Sequence, residues 1–128
     1  MRELLNDVGL VQSLAPAVIS ATATGSAIDL AGFQSALVIV NTGAIVSAGD
    51  FAVSIEESDT TTSEDFEAAA AADVLGTVPA TLEAASVYKL AYVGTKRYIR
   101  IVLTKAGGTS LAAGIVVAKG HALTGPVA

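Results

Sequence analysis

At 128 residues and 12.7 kDa the chain has the length of one domain, and its lack of cysteine excludes disulfides, thiol nucleophiles and thiolate metal sites together. Hydrophobic residues make up 52%, mostly Ala, Val, Leu and Ile, while charged residues supply 15%, well under the usual quarter, so much of the surface is uncharged. A net charge of −5 makes a poor nucleic-acid binder, and no apolar run approaches the length of a membrane span.

The opening "MRELLNDVGLVQSLAP" interrupts its apolar residues with Glu3, Asn6, Asp7 and Gln12, so it does not read as a secretory signal. Residues 1–16 read as an N-terminal arm or a short helix, ended by Pro16, because the residue before a proline is driven towards extended geometry. From residue 17 to 120 the pattern is that of a β-sandwich domain. "AVISATATG" (17–25) mixes β-branched and small residues, and "SAIDLAGF" (26–33) alternates Ile28 and Leu30 with Asp29 and Ala31. "SALVIVNTG" (35–43) reads as a buried strand closed by an Asn-Thr-Gly turn. "DFAVSIEE" (50–57) puts Phe51, Val53 and Ile55 on one face and Ala52, Ser54 and Glu56 on the other.

Residues 58–79 are irregular, first polar and then Ala-rich. Ser63, followed by Glu64, Asp65 and Phe66, could cap a short helix running to Asp73, with its acids where the helix dipole favours them; the alternative is a long loop. Strands resume in "ATLEAASVYKLAYVG" (80–94), "KRYIRIVLTKAG" (96–107) and "SLAAGIVVAKGHAL" (110–123). "KAGG" (105–108) reads as a tight hairpin turn between the last two, and Gly94 as a turn between Tyr92 and Lys96. Seven or eight short strands with turn signals between them indicate an all-β fold, an antiparallel β-sandwich or jelly roll. Residues 121–128 read as an extended C-terminal tail.

Chemistry is sparse. His121 is the single histidine and sits at a strand end, the usual place of a packing or surface residue. Acids cluster at Glu56, Glu57 and Asp59 and again at Glu64, Asp65 and Glu67, but the chain has no Trp to form a sugar platform. Calcium suits the oxygen ligands of "EESDTTTSED" better, although the loop lacks the D-x-D-x-D-G spacing. "GTKR" lacks the spacing of a phosphate loop. No catalytic, cofactor-binding or metal-binding residue is assigned, no cofactor is expected, and an enzyme is not the expectation.

The charges are segregated along the chain. All twelve acids lie in residues 1–83 with only Arg2 against them, whereas residues 84–128 carry six bases and no acid. Either the halves interleave and neutralise each other within one domain, or the ends of the subunit differ in sign and help neighbouring subunits dock. Within "YVGTKRYIRIVLT", Lys96, Tyr98 and Arg100 share one strand face, and Ile99, Ile101 and Leu103 the other. Strict alternation would send Arg97 inward, so it belongs near the strand's beginning, where it can reach out to solvent. This segment is either a solvated strand face or a subunit or capsid contact formed by Tyr92, Lys96, Arg97, Tyr98 and Arg100, with Glu56 or Asp59 of this chain or another.

The run Y-x-G-x-K-R-Y-I-R (92–100), with a glycine turn, a second apolar strand and a G-H-x-x-x-x-P tail after it, resembles small structural proteins of tailed bacteriophages and prophages. "SAIDLAGFQSALVIVNTGAI", "FAVSIEESDTTTSEDFEAA" and "ADVLGT" fit the same pattern, and the Ala-rich 68–72 departs from it. Among such proteins are jelly-roll capsid cement, or decoration, proteins, which sit on the shell as dimers or trimers and tie capsid subunits together. The resemblance implies a virion protein on the capsid surface, assembled in the host cytoplasm. Its partners would be the major capsid protein and itself, with no nucleic acid and no membrane. A neck or tail component and a non-catalytic β-sandwich binding module are the alternatives.

Overall fold

The computed structural model describes residues 3–123. In chain order the strands are β1 (Gly9–Ile19), β2 (Ala23–Thr24), β3 (Ile28–Asp29), β4 (Phe33–Val46), β5 (Asp50–Ser58), β6 (Glu67–Ala68), β7 (Val74–Leu75), β8 (Val87–Tyr92), β9 (Tyr98–Gly107) and β10 (Ser110–Ala122). They form two antiparallel sheets. The first is ordered β1-β10-β4-β8-β7 and the second β2-β9-β5-β6, with β3 also on β9.

The pairing is nested. β1 pairs with β10, β2 and β3 with β9, β4 with β8, and β5 with β6. The chain is thus one long antiparallel ribbon, folded back at residues 58–67 and rolled so that successive parts of it fall in alternate sheets. The ladders β10–β4 and β9–β5 then close each sheet. This is the jelly-roll winding, and it confirms the all-β sandwich read from the strand pattern.

Period-two alternation sets which side chains enter the core. Val38 and Val40 of β4 and Ile115 and Val117 of β10 point inward from the first sheet, all within 1% of full burial. Phe51 and Ile55 of β5 and Ile99, Ile101 and Leu103 of β9 meet them from the second. Leu82, in the connection before β8, is held in this layer by its N–H bond to the Phe51 carbonyl, 2.9 Å.

Several local expectations are corrected. The arm or short helix expected over residues 1–16 becomes strand β1 from Gly9. Gly9 and Ser13 point in while Leu10 and Gln12 point out, so a period of two prevails once β10 offers a ladder. Pro16 is tolerated because β1 is an edge strand with a bulge between Leu14 and Ala17, where no ladder bond is lost. The Asn-Thr-Gly turn is instead the middle of β4, which runs through to Val46 with a bulge opposite Ala112. There the Thr42 hydroxyl donates to the Glu83 carbonyl at 2.6 Å and accepts from the Ser86 N–H at 2.9 Å.

No α-helix forms over 58–79. Single 3₁₀ turns occupy Ser63–Asp65 and Ala71–Asp73, neither with a side-chain cap, and β6 and β7 complete the segment. The alanines offer no apolar stripe to bury, so helix propensity alone does not carry the segment. Of the residues 80–94 expected as strand, only β8 is strand. The "KAGG" turn is tight, with Gly108 at φ +72°, but β9 and β10 are not a hairpin: the turn carries the chain from one sheet to the other. A Cβ at Gly108 would lie 2.1 Å from the Ala48 carbonyl oxygen, so two crossover turns pack here without side chains between them. The tail starts later than residue 121, since His121 and Ala122 belong to β10; residues 124–128 lie outside the described part of the chain.

Candidate interaction surfaces

Nested pairing places the acidic half of the chain against the basic half. In the β5–β9 register Glu56 stands directly opposite Arg100. Arg100 Nε donates to Glu56 Oε1 at 2.6 Å, Nη1 donates to Ser63 Oγ at 2.9 Å, and the guanidinium lies 4.4 Å from the centre of the Phe66 ring. Phe66 is 9% exposed, so the arginine stem and ring shield each other on the outer face of the second sheet. Arg97 precedes β9 and forks onto Asp29 of β3, with Nε to Oδ1 at 3.0 Å and Nη2 to Oδ2 at 2.9 Å. It also lies over the Tyr98 ring at 5.1 Å. Lys96 Nζ reaches Asp59 Oδ2 at 2.9 Å. Interleaving is therefore how the segregated charges are accommodated within the chain.

The Arg97 fork and the Ala31 N–H hold the Asp29 carboxyl down at about 2, against an ordinary 3.8. A depressed carboxyl stabilises the fold above its unfolded value, and that contribution is lost as pH falls through the folded value. The acid-unfolding profiles of the native chain and of Asp29→Asn should therefore differ above pH 3.8 and converge towards pH 2. Both side chains are about half exposed, so the difference will be small.

Tyr92, Asp59, Lys96 and Arg97 line one open cleft of about 470 Å³ at an end of the sandwich, whereas Arg100 and Glu56 lie on the outer face of the second sheet. Tyr92 ties the sheets together. Its ring, 3% exposed, sits on the first sheet, and its hydroxyl donates to Glu57 of β5 in the second and accepts the Lys96 N–H at 3.2 Å. Gly94 makes no positive-φ turn; it leaves room, since a Cβ there would meet the Tyr92 hydroxyl at 2.4 Å. Burial and the Glu57 carboxylate push the Tyr92 hydroxyl well above its usual value, so it stays a donor throughout the physiological range. Tyr92→Phe should lower stability by about 1–2 kcal/mol in denaturant titrations, because a partly buried carboxylate loses its donor.

The acidic loop is engaged internally: Thr60 donates to Asp65 Oδ2 at 2.6 Å and Asp59 holds Lys96. Among the described residues no three acidic or imidazole groups converge as a metal site. His121 Nδ1 and Ser35 Oγ share a hydrogen bond of 2.8 Å across β10 and β4.

A surface that reading the sequence missed covers the outer face of the first sheet. Leu10, Ala118, Leu37, Ala91 and Leu75 stand in register across all five strands, an unbroken apolar row. Beside it run Gln12, Val116, Ile39 and Lys89. Leu10, Val18, Leu75 and Val87 on this face are 55–70% exposed. Its signal lay in "ALVIV" and "GIVVA": runs apolar at every position supply the core with one face and leave the other equally apolar.

No protein-family model matches the chain, and no curated protein matches it. Among solved structures it is similar to a chain of infectious bursal disease virus, Gx strain, with 14% identity and a TM-score of 0.44. The match covers 88% of this chain and 31% of that one, so the chain spans about a third of that neighbour's length.

Proposed function

We propose that this chain is a virion structural protein, a capsid cement (decoration) protein. It binds the outside of the phage head and stabilises contacts between major capsid protein subunits. One observation carries the reading. The ribbon neutralises Arg97, Arg100 and Lys96 with its own carboxylates, and it leaves a broad apolar sheet face at the surface. Such a block acts through contact area and shape, whether the apolar face meets a second copy or a shell subunit, which is what a cement protein contributes. The Y-x-G-x-K-R-Y-I-R strand and its flanking motifs support the same assignment by their resemblance to small phage structural proteins. A phosphate backbone would have to displace existing carboxylate partners from both arginines, which disfavours nucleic acid as the ligand.

The direct test mixes the purified protein with assembled shells and, separately, with unassembled capsid protein. Saturable pelleting with shells alone, together with a higher temperature of shell disruption, is the expected result. Failure to pellet with shells would overturn the cement role. A low count of copies per purified particle would transfer the chain to the neck or tail.

A further inference from the structure

We propose that the outer face of the first sheet is a two-fold homodimer interface, covered by the same face of a second copy. The inference does not rest on the virion reading, since such a dimer would form with no particle present.

Three features of the face select a second copy as its occupant. The first is charge. Among the described residues at its outward register positions, Lys89 is the one charged group, so a charged partner would find little to pair with. The second is area. Strands spaced about 4.8 Å apart and averaging roughly 30 Å in length give on the order of 600 Å², within the range each partner contributes to a stable interface. An exposed apolar patch of that size marks a contact surface.

The third is shape. Leu37 and Ile39 form a ridge on β4 between two shallow grooves. One runs along β10 from Ala112 through Gly114 to Val116, and the other runs along β8 past Ala91. A two-fold axis parallel to the strands, midway between β10 and β4, lays the ridge of each copy over β10 of the other. Leu37 then falls on Ala118, Ile39 on Val116, and Leu10 on Ala91, because rotation about this axis preserves the cross-strand rows. The same operation sets each Lys89 above Gln12, a neutral polar side chain. It keeps the two lysines about 14 Å apart sideways, beyond the screening length at physiological salt. Any other strand-parallel axis across the sheet brings Lys89 over an apolar row neighbour, over its own copy or past the edge.

Sedimentation velocity on the full chain tests this. The native protein should be a dimer that dissociates on dilution. Leu10→Glu, at a position 70% exposed, should keep the fold and raise the dimer dissociation constant at least about 10-fold, since a carboxylate would be desolvated against Ala91 of the other copy. Ser54→Glu, exposed on the opposite sheet, should leave dimerisation unchanged. The chain has no cysteine, so Gln12→Cys/Lys89→Cys with a short bis-maleimide gives an unambiguous register test, and covalent dimers are expected. A monomer at roughly 100 µM, which would place any self-affinity below a useful range, overturns the proposal. So does a trimer, or a dimer lost with Ser54→Glu and retained with Leu10→Glu. A monomer whose binding to shells is abolished by Leu10→Glu also overturns it and gives the face to the capsid protein.

Discussion

Phe51→Ala should lower the free energy of unfolding by about 3–5 kcal/mol, the largest effect expected from a single side chain here. Phe51 is fully buried, and the chain has only three phenylalanines and no tryptophan. The rest of the interior consists mainly of Val, Ile and Leu, whose branched side chains are locked by their strands and cannot swing into the vacated space. Leu82 would suffer as well, since its backbone is fixed to the Phe51 carbonyl and its side chain packs in the same layer. A domain of this size has a total stability of about 5–15 kcal/mol, so the variant would sit near the threshold of folding. Urea titration should show the midpoint fall with an unchanged slope. A loss below about 1 kcal/mol would mean that the sheets collapse onto the gap, and that the core is far less rigid than a close-packed interior.

Arg100→Met should cost about 2 kcal/mol, because it strips a partly buried carboxylate of its donor while keeping an apolar stem over Phe66. Glu56→Gln should cost less, since an amide retains an acceptor for the guanidinium. The double variant should cost less than the sum of the two, with a coupling of about 1–2 kcal/mol. This cycle separates the two meanings of the segregated charge. If the basic strand were reserved for a neighbouring subunit, Arg100→Met would be nearly silent in the isolated chain and would act only on assembly.

The inward faces of β5 and β9 were legible because strict alternation leaves little choice: Phe51, Val53 and Ile55, or Ile99, Ile101 and Leu103, can only share a side. Arg97 was placed correctly at the strand's beginning by the same logic. The neutralising pairs were legible only as one of two possibilities, because spacing within a chain does not say which strand lies beside which. The nested ribbon decides it, setting Glu56 against Arg100 and Asp29 beside Arg97. Of the residues expected at a contact, all seven fall in or beside these internal pairs. The bulges in β1 and β4 were hidden, since Pro16 and Asn41-Thr42-Gly43 carry the chemistry of breaks and turns while tertiary pairing holds them in strands. The helix expected near Ser63 failed for want of an apolar stripe. The apolar outer face of the first sheet was overlooked because an all-apolar run was read as doubly buried, whereas β4 is covered on one side within this chain.

A cryo-EM map of the particle that carries this chain tests the cement role most directly. The expected map shows sandwich-shaped density on the outer surface of the head, bridging neighbouring capsid subunits in a copy number set by the shell lattice. Density confined to the neck or tail, or a mature particle that lacks the chain, would contradict it.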